Sequence, residues 1–285
     1  MVLAATTEGG QKRLRRDGSF GYVVPALLLI AFFFIIPVLM LLMRSVLEPT
    51  PGLQNYRELL GSTTYLRVFL NTFTVAGLVT VVAVVIGFPV AWLLAIMPDK
   101  WSRLVMAIIV LSMWTNLLAR TYAWMVLLQR TGVVNKMLMN LGIIDKPLAL
   151  VNNLVGVTIG MTYIMLPFVI LPLIGILKSI DPAILRAAAL CGANKRQCFT
   201  RVLLPLSLPG IASGALMVFV MSLGYYVTPA LLGGTSNMML AELVAQFVQS
   251  LVNWGMGGAA ALVLLLVTMV LYAIQLKFLN PNRAR

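Results

Sequence analysis

The sequence predicts an all-α fold: a polytopic membrane protein with six transmembrane helices. Three observations carry that expectation. Of 285 residues, 61% are hydrophobic and 10% charged, with a mean hydropathy of +0.99, whereas soluble domains carry roughly 25% charged residues. The apolar residues come in blocks of about twenty, and at about 1.5 Å per residue such a block crosses the roughly 30 Å hydrocarbon layer as a helix. The blocks are apolar on every face, which excludes barrel strands, since these alternate and run to only about ten residues.

Residues 1–20 read as a polar, basic tail ending in "KRLRR" and the residues just after it. A secretory signal would follow such a cluster with an apolar core of about 7–15 residues and a small-residue cleavage site. Here the run from Val23 to Met43 is longer and leads into "LLMRSVLEPTPG", so it is expected to stay as the first span. The further spans are expected at Val68 to Met97, Leu104 to Leu128, Leu154 to Leu177, Ile211 to Leu232 and Ala259 to Leu276. Residues 21–280 then form one transmembrane domain, and 281–285 a short tail.

The net charge of +13 is arranged by topology. With the N-terminus in the cytoplasm, fourteen Lys and Arg fall inside and six outside, with Arg120 inside a span. That is the positive-inside bias read from short loops. Both termini are therefore expected to be cytoplasmic, in contact with lipid, and no nucleic-acid partner is implied. Histidine is absent, the two cysteines (Cys191 and Cys198) share one connector, and neither a G-x-x-x-x-G-K-[ST] loop nor a G-x-G-x-x-G turn occurs. No metal or cofactor is expected on this chain, and no catalytic residue. All eight acids lie outside the expected spans, so the buried carboxylate typical of ion-driven carriers is missing. An independent secondary carrier or a membrane enzyme is disfavoured on these grounds, and energy is expected to come from a partner.

The connector "RAAALCGANKRQCFTRVLLP" (Arg186 to Pro205) is the polar exception between two uncharged runs. Asp181 and Pro182 suit a helix start, the carboxylate as cap and the proline at the first helical position. Gly192 suits a left-handed stop. A second short helix, from about Lys195 to Leu203, is expected to end before Pro205, with Cys198, Phe199, Val202 and Leu203 on its apolar face. Periodicity leaves two readings: a knob that meets a partner protein, or an amphipathic loop on lipid headgroups.

The third span carries Arg120 near its middle, where a lone arginine costs roughly 2.5–3.5 kcal/mol on insertion scales. Asn116, Arg120 and Trp124 recur at every fourth position and share a helix face, with Tyr122 close by. That face suits a translocation cavity or a partner subunit; snorkelling to the outer interface is the alternative. Tyr163 with Pro167, and Tyr225 and Tyr226 with Thr228 and Pro229, are further cavity candidates or interface anchors. Gly156 and Gly160 form a G-x-x-x-G pair suited to close helix packing. Residues Met238 to Val252 carry an apolar stripe (Leu240, Leu243, Val244, Phe247, Leu251) opposite Glu242, Gln246 and Gln249, read as an external lid or an interfacial helix.

The spacing of Ala187, Ala188, Gly192, Ala193, Phe199, Val202, Leu204 and Pro205 resembles the EAA loop of the membrane subunits of bacterial ABC importers. "YLRVFLNTFTVAGLVT" (65–80), "MWTNLLARTYAWMVLL" (113–128) and "VTPALLGG" (227–234) are similar to permeases of the polyamine, opine and phosphonate group, above all those for spermidine and putrescine. The resemblance covers residues 20 to 280 and implies a MetI-like permease of the cell inner membrane. Its implied partners are a second homologous permease, two ABC ATPases that bind ATP and Mg, and a periplasmic substrate-binding protein. It also implies that the loop at 181–205 docks into the ATPase, with Arg186, Ala187, Ala188, Gly192, Ala193, Phe199 and Pro205 as the coupling residues. Arg186 stands where the family usually has glutamate. An opine, a phosphonate or another small zwitterion remains an alternative cargo to a polyamine.

Overall fold

The computed structural model describes residues 20–279; the expected tails, except for Phe20, lie outside them. Among the described residues every regular element is helical. The first membrane helix comprises α1 (Phe20–Ile30), a π-helical turn (Ala31–Ile35) and α2 (Ile36–Leu47). A short α3 (Gln54–Gly61) leads into α4 (Thr63–Ile96), which is 34 residues long. Next come α5 (Asp99–Met113), α6 (Leu117–Leu128), α7 (Val133–Asn140) and α8 (Leu154–Ser179). The elbow follows as α9 (Pro182–Leu190) and α10 (Lys195–Gln197), before α11 (Leu204–Leu223). The chain closes with α12 (Val227–Leu232), α13 (Leu240–Ala245) and α14 (Trp254–Leu279).

Five described helices are long and apolar enough to cross a membrane, and counting one bent pair as a single span brings the number to six. This corrects the expected continuous third span. The chain turns by 97° between α5 and the segment that begins at Leu117. Side-chain chemistry that hydropathy does not register makes the break. The hydroxyls of Ser112 and Thr115 donate to carbonyls three residues back, at 2.6 and 2.7 Å. Asn116 then caps a new helix by accepting from the Leu118 and Ala119 N–H groups.

The expected fifth span is corrected at both ends. It stops at Leu223, and Gly224–Tyr226 separate it from α12. At its start the helix does not end before Pro205: α10, a π-helical stretch (Cys198–Leu203) and α11 form one helix of 29 residues. The wide turn explains how a proline fits. Leu204 N–H reaches back five residues to Phe199 O, so the ladder is already displaced where the Pro205 ring would strike a carbonyl four residues back. The first span uses the same device, with Ile36 N–H donating to Ala31 O just before Pro37.

Helices α4, α8 and α11 make the central bundle, and Val169 of α8 is approached closely from both sides. A Cβ on Gly87 would lie 3.0 Å from Val169 Cγ1, and one on Gly214 would lie 3.1 Å from Val169 Cα. Both neighbours grip α8 backbone-close, a contact that only small residues allow. A second core of Leu59, Val68, Leu240, Leu243, Phe247, Met256 and Ala260 joins α3, α4, α13 and α14. The stripe expected on the outer segment is thus buried at Leu240, Leu243 and Phe247, but Leu251 is exposed, because a π-helical turn (Gln246–Ser250) shifts its phase. The Gly156/Gly160 pair does bring helices close: a Cβ on Gly160 would meet Leu232 Cδ1 at 2.6 Å and Thr228 Cγ2 at 3.0 Å, both from α12.

Candidate functional site

The elbow is built by three local devices. Asp181 accepts from Ala183 N–H at 2.8 Å, with Pro182 at the first helical position, and so starts α9. Gly192 takes φ +86°, the left-handed conformation that a Cβ disfavours, and reverses the chain. Asn194 and Gln197 then form a reciprocal capping box, at 2.8 and 2.9 Å, that starts α10. Arg186, Ala187 and Gly192 are exposed, while Ala188 and Ala193 are half-buried. Leu190 is 90% exposed, so the outer face of the elbow is apolar at its tip and basic around it.

Of the expected coupling residues, Phe199 keeps to the expected apolar face and Pro205 departs from its expected place. Phe199 turns inward, its ring 5.9 Å from Phe88 and 5.5 Å from Trp92, both on α4. Pro205 lies inside the long helix instead of ending the elbow. Two cavities flank this aromatic contact. One, of about 520 Å³, is lined by residues that include Ile96, Asp99, Lys178 and Pro182; the other, of about 320 Å³, by Ala189, Ala193, Lys195 and Cys198 among others. Trp92, Leu185 and Leu203 line both.

At the other end of the bundle the two helix breaks meet. Thr121 of α6 and Thr228 of α12 approach at 3.3 Å between hydroxyls. Tyr225 lies beside Thr228 and within Coulombic reach of Arg120. Trp124 packs edge-on against Tyr163 of α8, with ring centroids 5.5 Å apart. Arg120, Trp124, Tyr163 and Tyr225 therefore belong to one polar-aromatic cluster. Arg120 is not at the middle of a continuous span but in the first turn after the break, and its Nε is buried without a hydrogen-bond partner.

The other three candidates fall elsewhere. Asn116 is consumed as a helix cap. Tyr122 is exposed on another face of α6. Tyr226, next in the chain to Tyr225, lines a separate, mostly apolar cavity of about 600 Å³ with Val38, Leu42, Val244 and Leu264. The non-helical turn at Gly224–Tyr226 sends the two tyrosines apart, whereas the sequence reading had grouped them by adjacency. Residues that sequence reasoning missed are Phe88 and Trp92, which lie in an ordinary apolar run, and Thr121, which stands between the candidates Arg120 and Tyr122. Near the outer helix, one Glu242 oxygen is buried without a partner. Burial pushes that carboxyl above the usual range, and a hydrogen bond to the Met239 backbone partly opposes the shift.

Residues 65–284 match the family model described as "binding-protein-dependent transport system inner membrane component". The chain belongs to that family. This permease is 32% identical over 215 residues to the spermidine/putrescine transport system permease protein PotB of Escherichia coli (strain K12), covering 75% of this chain and 78% of the relative. It is 33% identical over 261 residues to the protein of the same name from Haemophilus influenzae, covering 87% and 91%. A chain in the crystal structure of a bacterial alginate ABC transporter, in complex with an alginate pentasaccharide-bound periplasmic protein, superposes with a TM-score of 0.72 at 19% identity, over 90% of this chain and 92% of that one. The permease is thus an ABC importer subunit of the inner membrane with the MetI-like fold, in a family that works with a binding protein.

Proposed function

We propose that this permease imports a polyamine of the spermidine or putrescine class by alternating access, driven by two ATPases that dock on the elbow from Asp181 to Pro205. A second homologous permease completes the conduit, and a periplasmic binding protein delivers the solute at the opposite end. Both chain termini lie in the cytoplasm with the elbow. This chain performs no catalysis; ATP and Mg bind the partner ATPases. The observation that carries the reading is the elbow itself: a Gly192 reversal between two independently capped helices, with Leu190 and Arg186 presented outward. A loop resting on lipid would not need so rigid a geometry. The cargo class rests on the relatives named for spermidine and putrescine at 32% and 33% identity.

A second cargo reading, an opine, phosphonate or other zwitterion, is favoured by Arg120. Its buried Nε lacks an acceptor, and the residues clustered with it, Trp124, Tyr163, Tyr225 and the two threonines, include no acid. An anionic group in the pathway would supply the missing acceptor.

Affinity purification of the chain from its native membrane in mild detergent tests the mechanism, and uptake of labelled spermidine, putrescine and a zwitterionic amino acid tests the cargo. The reading expects ATPases and a second permease to co-purify, with ATP-dependent uptake of the polyamine. Recovery of a lone active carrier would overturn the mechanism, and uptake restricted to the zwitterion would overturn the cargo.

A further inference from the structure

The elbow touches the membrane bundle through an aromatic contact made from the apolar face of its second helix. Phe199 sits against Phe88, with ring planes at 84°, and against Trp92, at 55°. These are arrangements in which ring edges and faces attract beyond simple area burial. Phe88 is one residue from Gly87, where α4 grips Val169 of α8, and one residue before Pro89, which lies inside α4. Having no N–H, Pro89 leaves the Val85 carbonyl without its helical donor, so the last turns of α4, Val90–Ile96, are less stiffly tied to the rest. That stretch carries Trp92, which is 37% exposed and stands between the two cavities, with room to move on either side. Beyond it, the buried Ser102 hydroxyl donates to Leu94 O at 2.8 Å and ties the start of α5 to the end of α4. Helix α5 in turn leads to the 97° break and the Arg120 cluster.

We propose that Phe199, Trp92 and Phe88 form a relay that carries the elbow's movement into the second span and, through Ser102 and Leu94, into the broken third span. Trp92 is then a positioning residue for transport, acting on the pathway through α4 and α5 without touching solute or nucleotide. The proposal rests on the reading that the elbow receives the ATPases. It adds a route that the covalent connection of the elbow to α8 and α11 does not provide.

The test uses the assembled transporter, with its binding protein, in proteoliposomes, and reads solute transported per ATP hydrolysed. Trp92→Ala and Phe88→Ala each remove a ring that Phe199 packs against and keep the ATPases bound and hydrolysing, while transport per ATP falls about tenfold, within the range that coupling between distant sites spans. Trp92→Phe restores the ratio. The double variant Trp92→Ala/Phe88→Ala falls no further than the worse single one, because both break the same link to Phe199. If Trp92→Ala does not accumulate in the membrane, Trp92→Leu keeps the apolar volume, lacks the ring, and gives the same reduced ratio. A wild-type ratio in these variants overturns the relay and leaves elbow docking intact, as does loss of the ATPases from Trp92→Ala with the ratio preserved in whatever complex remains. If the ATPases fail to co-purify with the wild-type chain, the docking reading falls, and the relay falls with it.

Discussion

The elbow and the pair of broken spans at the opposite end of the bundle are both places where a helix stops and the chain changes direction. They differ in what makes them stop. In the elbow each turn is enforced within a few residues: Asp181 on Ala183, Gly192 at φ +86°, Asn194 and Gln197 on each other. At the breaks, Asn116 acts locally, but the α6–α12 contact exists only because Thr121 meets Thr228 across 107 residues of sequence and Gly160 lets α12 approach α8. A locally enforced shape can act as a rigid handle. A shape held by distant contacts can exchange one set of contacts for another, as a pathway that opens and closes must.

The largest effect is expected where the handle depends on one backbone conformation. Gly192→Pro fixes φ near −65° at a position that needs +86°. Uptake should be abolished while membrane insertion, read by detergent extraction and expression, is unchanged. Uptake at the wild-type level would erase the distinction between handle and bundle.

Next in size, Arg120→Met removes a guanidinium whose Nε has no partner. Leaving a buried donor unsatisfied costs about 1–3 kcal/mol, so the thermal midpoint in detergent should hold or rise, while uptake falls about tenfold, a 1.4 kcal/mol effect. A variant that unfolds more readily and transports normally would make Arg120 structural.

The two caps sharpen the contrast further. Asp181→Ala and Asn116→Ala should each cost about 1 kcal/mol of stability. The loss should be greater for Asn116, which serves two N–H groups to the one served by Asp181. Chemical denaturation in detergent measures both, and equal losses would argue that the break at Trp114–Asn116 is held by packing instead of by its cap.

The smallest effect is expected at Glu242. Its carboxyl is harder to ionise when folded than when unfolded, so the folded state holds the proton more tightly. Stability should be greatest at acid pH and decline as pH rises from the ordinary carboxylate range through the raised folded value. Glu242→Gln should flatten that decline in thermal melts across pH, and an unchanged slope would show the carboxyl to be solvated.

The membrane class, the five continuous spanning helices, the elbow and the family resemblance could all be read from the chain, because each depends on composition or on residues within about ten positions of one another. Asp181, Gly192 and the first, second, fourth and sixth spans are of this kind. Hydropathy smoothed over the breaks at Trp114–Asn116 and Gly224–Tyr226, since a span bent by 97° is as apolar as a straight one. Helical periodicity placed Asn116 and Arg120 on one face but could not tell a cap from a cavity wall. The partners that Phe199 meets, Phe88 and Trp92, the parting of Tyr225 from Tyr226, and the meeting of Thr121 with Thr228 were decided by tertiary structure alone. The physical reason is that an aromatic or hydroxyl side chain has no inherent direction in a lipid-soluble run: which neighbour it meets is set by how closely glycines such as Gly87, Gly160 and Gly214 let distant helices approach.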